Sequence, residues 1–319
     1  MESFNGKIAV VTGGGTGMGA ELVVQLATQG CSVATCDVNS ETLADTAKRA
    51  ANEAPAGVRI TTHLCDVADA AQVAKFRDDV VKEHETNHIN LLFNNAGIGG
   101  GGSFLTGKRE EWDRVFGIDW GGVYNCARAF VPLLVASDDG YLVNTSSVNG
   151  FWASLGPGMP HTAYASAKFA VKGFSEALIE DFRVNAPHVK VAVVMPGHIG
   201  TDIIANSRRV LGGPEPDDMS ADDIAVARVQ MGNRGMPVQA MSDDDIRGMM
   251  KMLGEGFKST APVSAAQAAT IILDAVKAGK WRILVGDDAH RLDEVVRANP
   301  EDIYGEGGIG LSTLMQTDS

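Results

Sequence analysis

Short apolar runs alternate with stretches of helical periodicity along most of the chain. Ile8 to Val11 reads as a buried strand, and Gly17 to Gln29 carries apolar positions at helical spacing. Ser32 to Cys36 predicts a second strand and Ser40 to Asn52 a second helix. The alternation continues with a strand over Val58 to Leu64, a helix over Asp69 to Glu83 and a strand over Ile89 to Phe93. A helix over Gly117 to Ala136, a strand over Tyr141 to Thr145, a helix over Ala163 to Val184 and a strand over Lys190 to Val194 follow. A helix over Ser264 to Ala278 and a strand over Arg282 to Val285 close the series. Strands that alternate with helices pair in parallel through right-handed crossovers. The expected fold class is therefore α/β, a doubly wound parallel sheet with helices on both faces, in one domain over residues 1–319.

From about Gly200 to Pro262 the alternation stops. Ser220 with Asp223, and Ser242 with Asp245, read as capping boxes that start helices. Ile246, Met249, Met250, Leu253 and Phe257 then recur at helical spacing, and seven of the twelve methionines fall between Met219 and Met252. Residues 200–262 are expected to form a helical insertion within the domain.

The first strand runs into Thr12-Gly13-Gly14-Gly15-Thr16-Gly17-Met18-Gly19, which opens a helix. Glycines let a backbone turn tightly and approach a pyrophosphate, and the helix N-terminus presents free N–H groups to it. Gly13, Thr16, Gly17, Met18 and Gly19 are the candidate cofactor loop of a Rossmann-type domain. Asp37 ends the second strand, where a carboxylate accepts ribose hydroxyls and repels a 2′-phosphate. Gly14, Gly15 and Val38 supply no cation for such a phosphate. The expected cofactor is NAD rather than NADP.

Tyr164 and Lys168 stand four residues apart on a helical pattern and so share a face. A phenol titrates near pH 10, and a neighbouring cation favours its ionised form. A shift of about three units, which neutral-pH chemistry requires, needs about 4 kcal/mol of differential stabilisation. The strand upstream ends in Asn144-Thr145-Ser146-Ser147, whose hydroxyls can hydrogen-bond a substrate oxygen.

Together these features resemble the short-chain dehydrogenase/reductase family over roughly Gly6 to Asp202, and more weakly after Pro262. The family pattern also matches Asp66-Val67, Asn94-Asn95-Ala96-Gly97 and Pro196-Gly197 with Thr201. The resemblance implies that Tyr164 is the general acid/base, that Lys168 lowers its pKa and binds the nicotinamide ribose, and that Ser147 rather than Ser146 orients substrate. It implies that Asp66 meets the adenine and Asn94 the adenosine side, with Val67, Ala96 and Gly97 also binding the cofactor. Ile199 and Thr201, after Pro196 and Gly197, would hold the carboxamide. It also implies homotetramers or dimers built on the helices bearing Asp119 and Tyr164, and an insertion that folds over the substrate. Asp119 stands where the family has an asparagine of a proton relay; its backbone can keep that role. The segment from Ser147 to Tyr164 is longer than usual, and Gly156 to Pro160 is expected to bulge beside the substrate. A lid lined by some of Met219, Met231, Met249, Met250, Leu253 and Phe257 would favour a bulky lipophilic alcohol or ketone.

Composition narrows the alternatives. A formal net charge of −13 excludes the basic footprint of nucleic-acid binding. No long apolar run predicts a membrane span, and no signal segment is read at the start. Cys31, Cys36, Cys65 and Cys126 form no CxxC pair, which suits a reducing cytoplasm. His84-Glu85-Thr86-Asn87-His88 matches a zinc-protease pattern, but falls at a helix end without a third ligand nearby; no metal is expected. His161 and His198 lie near the site in sequence. Two other readings stay open: a non-catalytic NAD-binding module that reports cofactor state to a partner, and an epimerase-like enzyme that recycles a bound cofactor.

Overall fold

The computed structural model describes residues 1–156, 158–233 and 236–305. Its centre is a seven-stranded sheet of β1 (Ile8–Thr12), β2 (Ser32–Asp37), β3 (Ile60–Leu64), β4 (Leu91–Asn94), β5 (Gly140–Thr145), β6 (Val189–Pro196) and, late in the chain, β9 (Arg282–Val285). All pairings are parallel, in the order β3-β2-β1-β4-β5-β6-β9. Between β6 and β9, β7 (Ile199–Gly200) pairs with β8 (Val263–Ser264).

Alternate strand residues point to opposite faces. Ala9 and Val11, Leu91 and Phe93, and Tyr141 and Val143 pack on one side against α1 (Gly17–Thr28) and α10 (Ala265–Lys277). Val10, Leu92 and Leu142 pack on the other, against α3 (Ala70–Glu83), α5 (Gly122–Val135) and α6 (Thr162–Asn185). Both faces are covered, which explains why the strands read as apolar runs rather than as alternating ones. α2 (Ser40–Glu53) starts on Asn39, whose side chain accepts from the N–H groups of Glu41 and Thr42; Asp69 caps α3 in the same way.

One element departs from the sequence reading and another lies beyond it. The helix predicted over Gly117 to Ala136 begins earlier, as α4 (Arg109–Phe116), passes through a π-helical turn at Gly117–Gly121 and continues as α5. In α4 only Val115 is buried, so apolar periodicity carries little signal there. The tail forms α11 (Asp287–Ala298), where Ala289 and Leu292 join Ile303 around Val148 and the fully buried Trp152. That cluster pins the segment following Ser147, and the hydroxyl of Tyr304 accepts from the N–H of Ala153 at 2.9 Å. Within the expected bulge Gly156 and Gly158 have positive φ; Pro157 lies outside the described residues, as does the chain beyond Gly305.

The insertion holds α7 (Ile203–Val210), α8 (Ala221–Asn233) and α9 (Asp243–Ser259). Both capping boxes form: Ser220 exchanges hydrogen bonds with Asp223, and Ser242 with Asp245. Met219 and Met231 are buried with Ile224, Val238 and Ile246 in the insertion's own small core, and Met249 and Met250 pack against it. Among the described residues no helix is long and apolar enough to cross a membrane.

Candidate active site

The strand order reverses at β1, between β2 and β4, and a cleft opens there at the carboxyl ends of the strands, the usual binding place in such sheets. Gly13, Thr16, Gly17 and Met18 form one wall, Asp37, Asp66 and Val67 another, and Ala96, Gly97 and Thr201 the inner end. The loop is shaped by its glycines. Gly13 has φ +66°, and a Cβ on it would lie 2.7 Å from the Cα of Ala96. Gly17 has φ +56° at the first position of α1. Gly19 does not face the cleft: a Cβ there would sit 2.0 Å from the carbonyl oxygen of Gly13, so this glycine sets how closely α1 approaches its own loop.

Thr16 precedes α1 without capping it. Its hydroxyl accepts instead from Asn206 Nδ2 of α7 at 2.9 Å, leaving the first N–H groups of α1 for an anion. The Asp37 carboxylate accepts from the N–H groups of Gly15, Val38 and Asn39 at 3.0, 2.8 and 3.2 Å, and stands at the cleft wall. Asp66 pairs with Arg114 at 2.7 Å. This glycine cradle, open helix end and terminal carboxylate fit a dinucleotide. Replacing Gly13 with Ala is expected to weaken dinucleotide binding by at least about tenfold, roughly 1.4 kcal/mol, measured by titration with reduced cofactor; unchanged affinity would show that the loop tolerates the added methyl.

Other candidates sit differently. Asn94 turns into the sheet, where its Nδ2 donates to Asn144 Oδ1 at 2.8 Å, because β4 and β5 place these residues side by side. Its neighbour Asn95 lines the cleft and donates to the carbonyls of Thr12 and Gly13. Pro196 ends β6 opposite Val285 of β9. Gly197 packs on Asp288, where a Cβ would meet the carboxylate at 2.2 Å, and Ile199 belongs to the core. Sequence reasoning missed Asn206 and Arg209, which reach the cleft from α7. They lie about 190 residues from the loop they face, and nothing local marks them.

Beyond Gly97 lies the chemistry. Lys168 Nζ is 5.3 Å from the centre of the Tyr164 ring, donates to the carbonyl of Thr145 at 3.2 Å and pairs with Asp119 Oδ2 at 3.4 Å. Ser147 stands close enough to the Tyr164 hydroxyl to draw its pKa down, and the ring of His161 stacks on the phenol ring at 4.5 Å. Ser146 is spoken for: its hydroxyl donates to the backbone carbonyl of Lys168 at 2.7 Å. Asp119 is fully buried on the π-helical turn, with Oδ1 accepting from the N–H of Ile98 at 2.8 Å. The phenol's pKa is raised above its ordinary value: burial pushes it up, Lys168 pulls it down, Asp119 pushes it up again and Ser147 pulls it down. Lys168 thus acts in the direction expected from sequence, but burial and Asp119 outweigh it. The Lys168 pKa is held above its ordinary range; burial works against its charge, but Asp119 and Tyr164 outweigh that.

The histidine motif takes another form. α3 ends at Glu83, His84 caps it, and Glu85 has φ +50°, so His84 and His88 share no helical face. His84 is buried against the hydroxyl of Thr61 at 3.0 Å, and burial holds its pKa down to about 4. His198 bonds the carbonyl of Phe257 at 2.6 Å through its ring and so ties α9 to the turn after β6.

Residues 7–211 match the short chain dehydrogenase family. SadH of Mycobacterium tuberculosis is 38% identical over 207 residues, 65% of this chain and 72% of that protein. The 3-oxoacyl-[acyl-carrier-protein] reductase FabG of Thermotoga maritima is 28% identical over 234 residues, 73% of this chain and 87% of its own. A short-chain dehydrogenase/reductase from Burkholderia phymatum, solved in complex with NAD, superposes with a TM-score of 0.74 at 28% identity, covering 95% of this chain and 96% of that one.

Proposed function

This chain belongs to the short-chain dehydrogenase/reductase family of oxidoreductases, and from that premise we propose that it moves a hydride between NAD and a secondary alcohol or its ketone. One observation carries the reading: Ser147, Tyr164 and Lys168 converge at the inner end of a dinucleotide-shaped cleft, with Gly97 touching both halves. Gly13, Thr16, Gly17 and Met18 hold the pyrophosphate, Asp37 the adenosine ribose, Asp66 and Val67 the adenine, and Thr201 the carboxamide end. Bound there, the nicotinamide supplies or takes up the hydride.

The chain's own groups handle the proton. Tyr164 gives its hydroxyl proton to a carbonyl oxygen as that oxygen becomes an alkoxide, and takes it back in the reverse direction. Ser147 hydrogen-bonds the same oxygen and holds it within reach of the phenol. Lys168 stabilises the phenolate. The insertion over residues 200–262 acts as a lid: α9 lies beside β7 and α7, with Leu253 half-exposed and Phe257 tilted against the His198 ring at 4.3 Å. Met219 and Met231 stiffen this lid from inside rather than lining it. An apolar, adaptable cover fits a bulky lipophilic carbonyl, and the reductase from Thermotoga maritima bears the name of an acyl-chain substrate.

Asp37 supports NAD over NADP, because its carboxylate occupies the place a 2′-phosphate would need. NAD is expected to bind at least about tenfold more tightly than NADP, and Asp37→Ser to narrow that gap, as read by calorimetric titration of both cofactors. The functional test is formation of reduced cofactor from a panel of secondary alcohols graded by size and polarity. Turnover that rises with apolar bulk supports the reading. Preference for small polar alcohols contradicts the lid, and tight NAD binding with no turnover across the panel favours a cofactor-reporting module.

A further inference from the structure

Asp119 puts a carboxylate where nothing in the proton chemistry just described requires a charge. It is fully buried, and its two oxygens are treated unequally: Oδ1 accepts from the N–H of Ile98, while Oδ2 faces Lys168 Nζ at 3.4 Å and takes no hydrogen bond from any other described group. Gly97 makes room for the pair, since a Cβ there would lie 3.2 Å from both Asp119 Oδ1 and Lys168 Nζ. The π-helical turn at Gly117–Gly121 carries the aspartate, and such turns recur at functional sites. A neutral asparagine at this position would leave the ammonium's whole charge to act on the phenol. A carboxylate in a dry setting cancels much of it.

We propose that Asp119 is a positioning residue acting through Lys168: its carboxylate takes up the ammonium's charge, so that Tyr164 keeps its proton into the alkaline range and meets a substrate as an acid ready for a carbonyl. The groups facing the phenol are few. Lys168 comes from its own helix, Asp119 from the π-helical turn, Ser147 from the turn that follows β5 and the stacked His161 from the residues before α6. Of the two charges, Lys168 favours the phenolate and Asp119 opposes it.

The inference rests on Tyr164 being the acid/base, and a titration without substrate separates the two. Tyrosinate absorbance of the whole chain is followed against pH for the wild type and for Tyr164→Phe, so that the difference isolates one of the four tyrosines. The same pair is measured on an Asp119→Asn background. The Tyr164 midpoint is expected at or above about 10 in the wild type, and at least one unit lower with Asp119→Asn. A wild-type midpoint near neutrality, or an unmoved midpoint in a folded Asp119→Asn protein, overturns the proposal. Should Asp119→Asn fail to fold, Asp119→Ala is titrated in its place, with the same lowered midpoint expected and an unmoved one overturning the proposal. With His161→Gln in both backgrounds the difference due to Asp119 must persist; its disappearance would assign the effect to the imidazole. If the titration behaves as expected but no carbonyl or alcohol turns over, the charge relation stands and the functional reading falls.

Discussion

Replacing Tyr164 with Phe is expected to abolish most turnover while leaving the dinucleotide bound. The substitution keeps the ring, its stack on His161 and its place on α6, and removes only the hydroxyl. That hydroxyl is the group placed to exchange a proton with a substrate oxygen, and Ser147 stands beside it. Positioned acid–base groups contribute roughly 10²–10⁴-fold to rate, so kcat should fall by about that factor. Cofactor affinity should change by no more than about 1 kcal/mol, one hydrogen bond. Steady-state kinetics and cofactor titration on the same preparation check both halves. A loss of only a few-fold in kcat would mean that another group carries the proton.

The second large effect falls on stability. Lys168→Ala strands the fully buried Asp119 carboxylate without its countercharge. Removing one partner of a buried ion pair costs about 3–5 kcal/mol, because the other charge remains in a poorly solvating place. The Asp119 pKa is already raised by burial, with Lys168 and the Ile98 N–H as the opposing influences. Without Lys168 it rises further. A carboxylate whose folded pKa lies above its unfolded value destabilises the fold above that unfolded value, and the penalty fades as protonation removes the charge. The deficit of Lys168→Ala should therefore be largest at neutral pH and shrink on acidification, and adding Asp119→Asn should recover part of it. Denaturant unfolding at several pH values checks this. A pH-independent deficit would attribute the loss to packing of the lysine stem instead.

The sheet was legible because its signals are local. Buried parallel strands are short apolar runs, and glycines at 13, 17 and 19 announce the loop once the strand before them, the helix after them and Asp37 are read with them. Tyr164 and Lys168 were equally visible, since four residues on a helix are one turn apart. What escaped depends on contacts distant in sequence. Asn94 and Asn95 are indistinguishable as letters, and only the pairing of β4 with β5 decides which one enters the sheet. α4 is polar because it covers the fold's outside, and a π-helical turn adds one residue without disturbing the pattern around it. The packing of α11 is not local information either: Ala289 and Leu292 meet Trp152 across the molecule. The methionines of the insertion gave away its helices, but not that Met219 and Met231 face inward.

The account stands or falls on hydride transfer. The most direct measurement uses the best alcohol of the panel, deuterated at its carbinol carbon, with oxidised NAD, and reads deuterium in the recovered reduced cofactor by mass spectrometry. The account requires the label on the reduced nicotinamide, a slower turnover of the labelled alcohol, and loss of both in Tyr164→Phe. Unlabelled reduced cofactor, or label returned to the substrate skeleton while the cofactor ends oxidised, would contradict it.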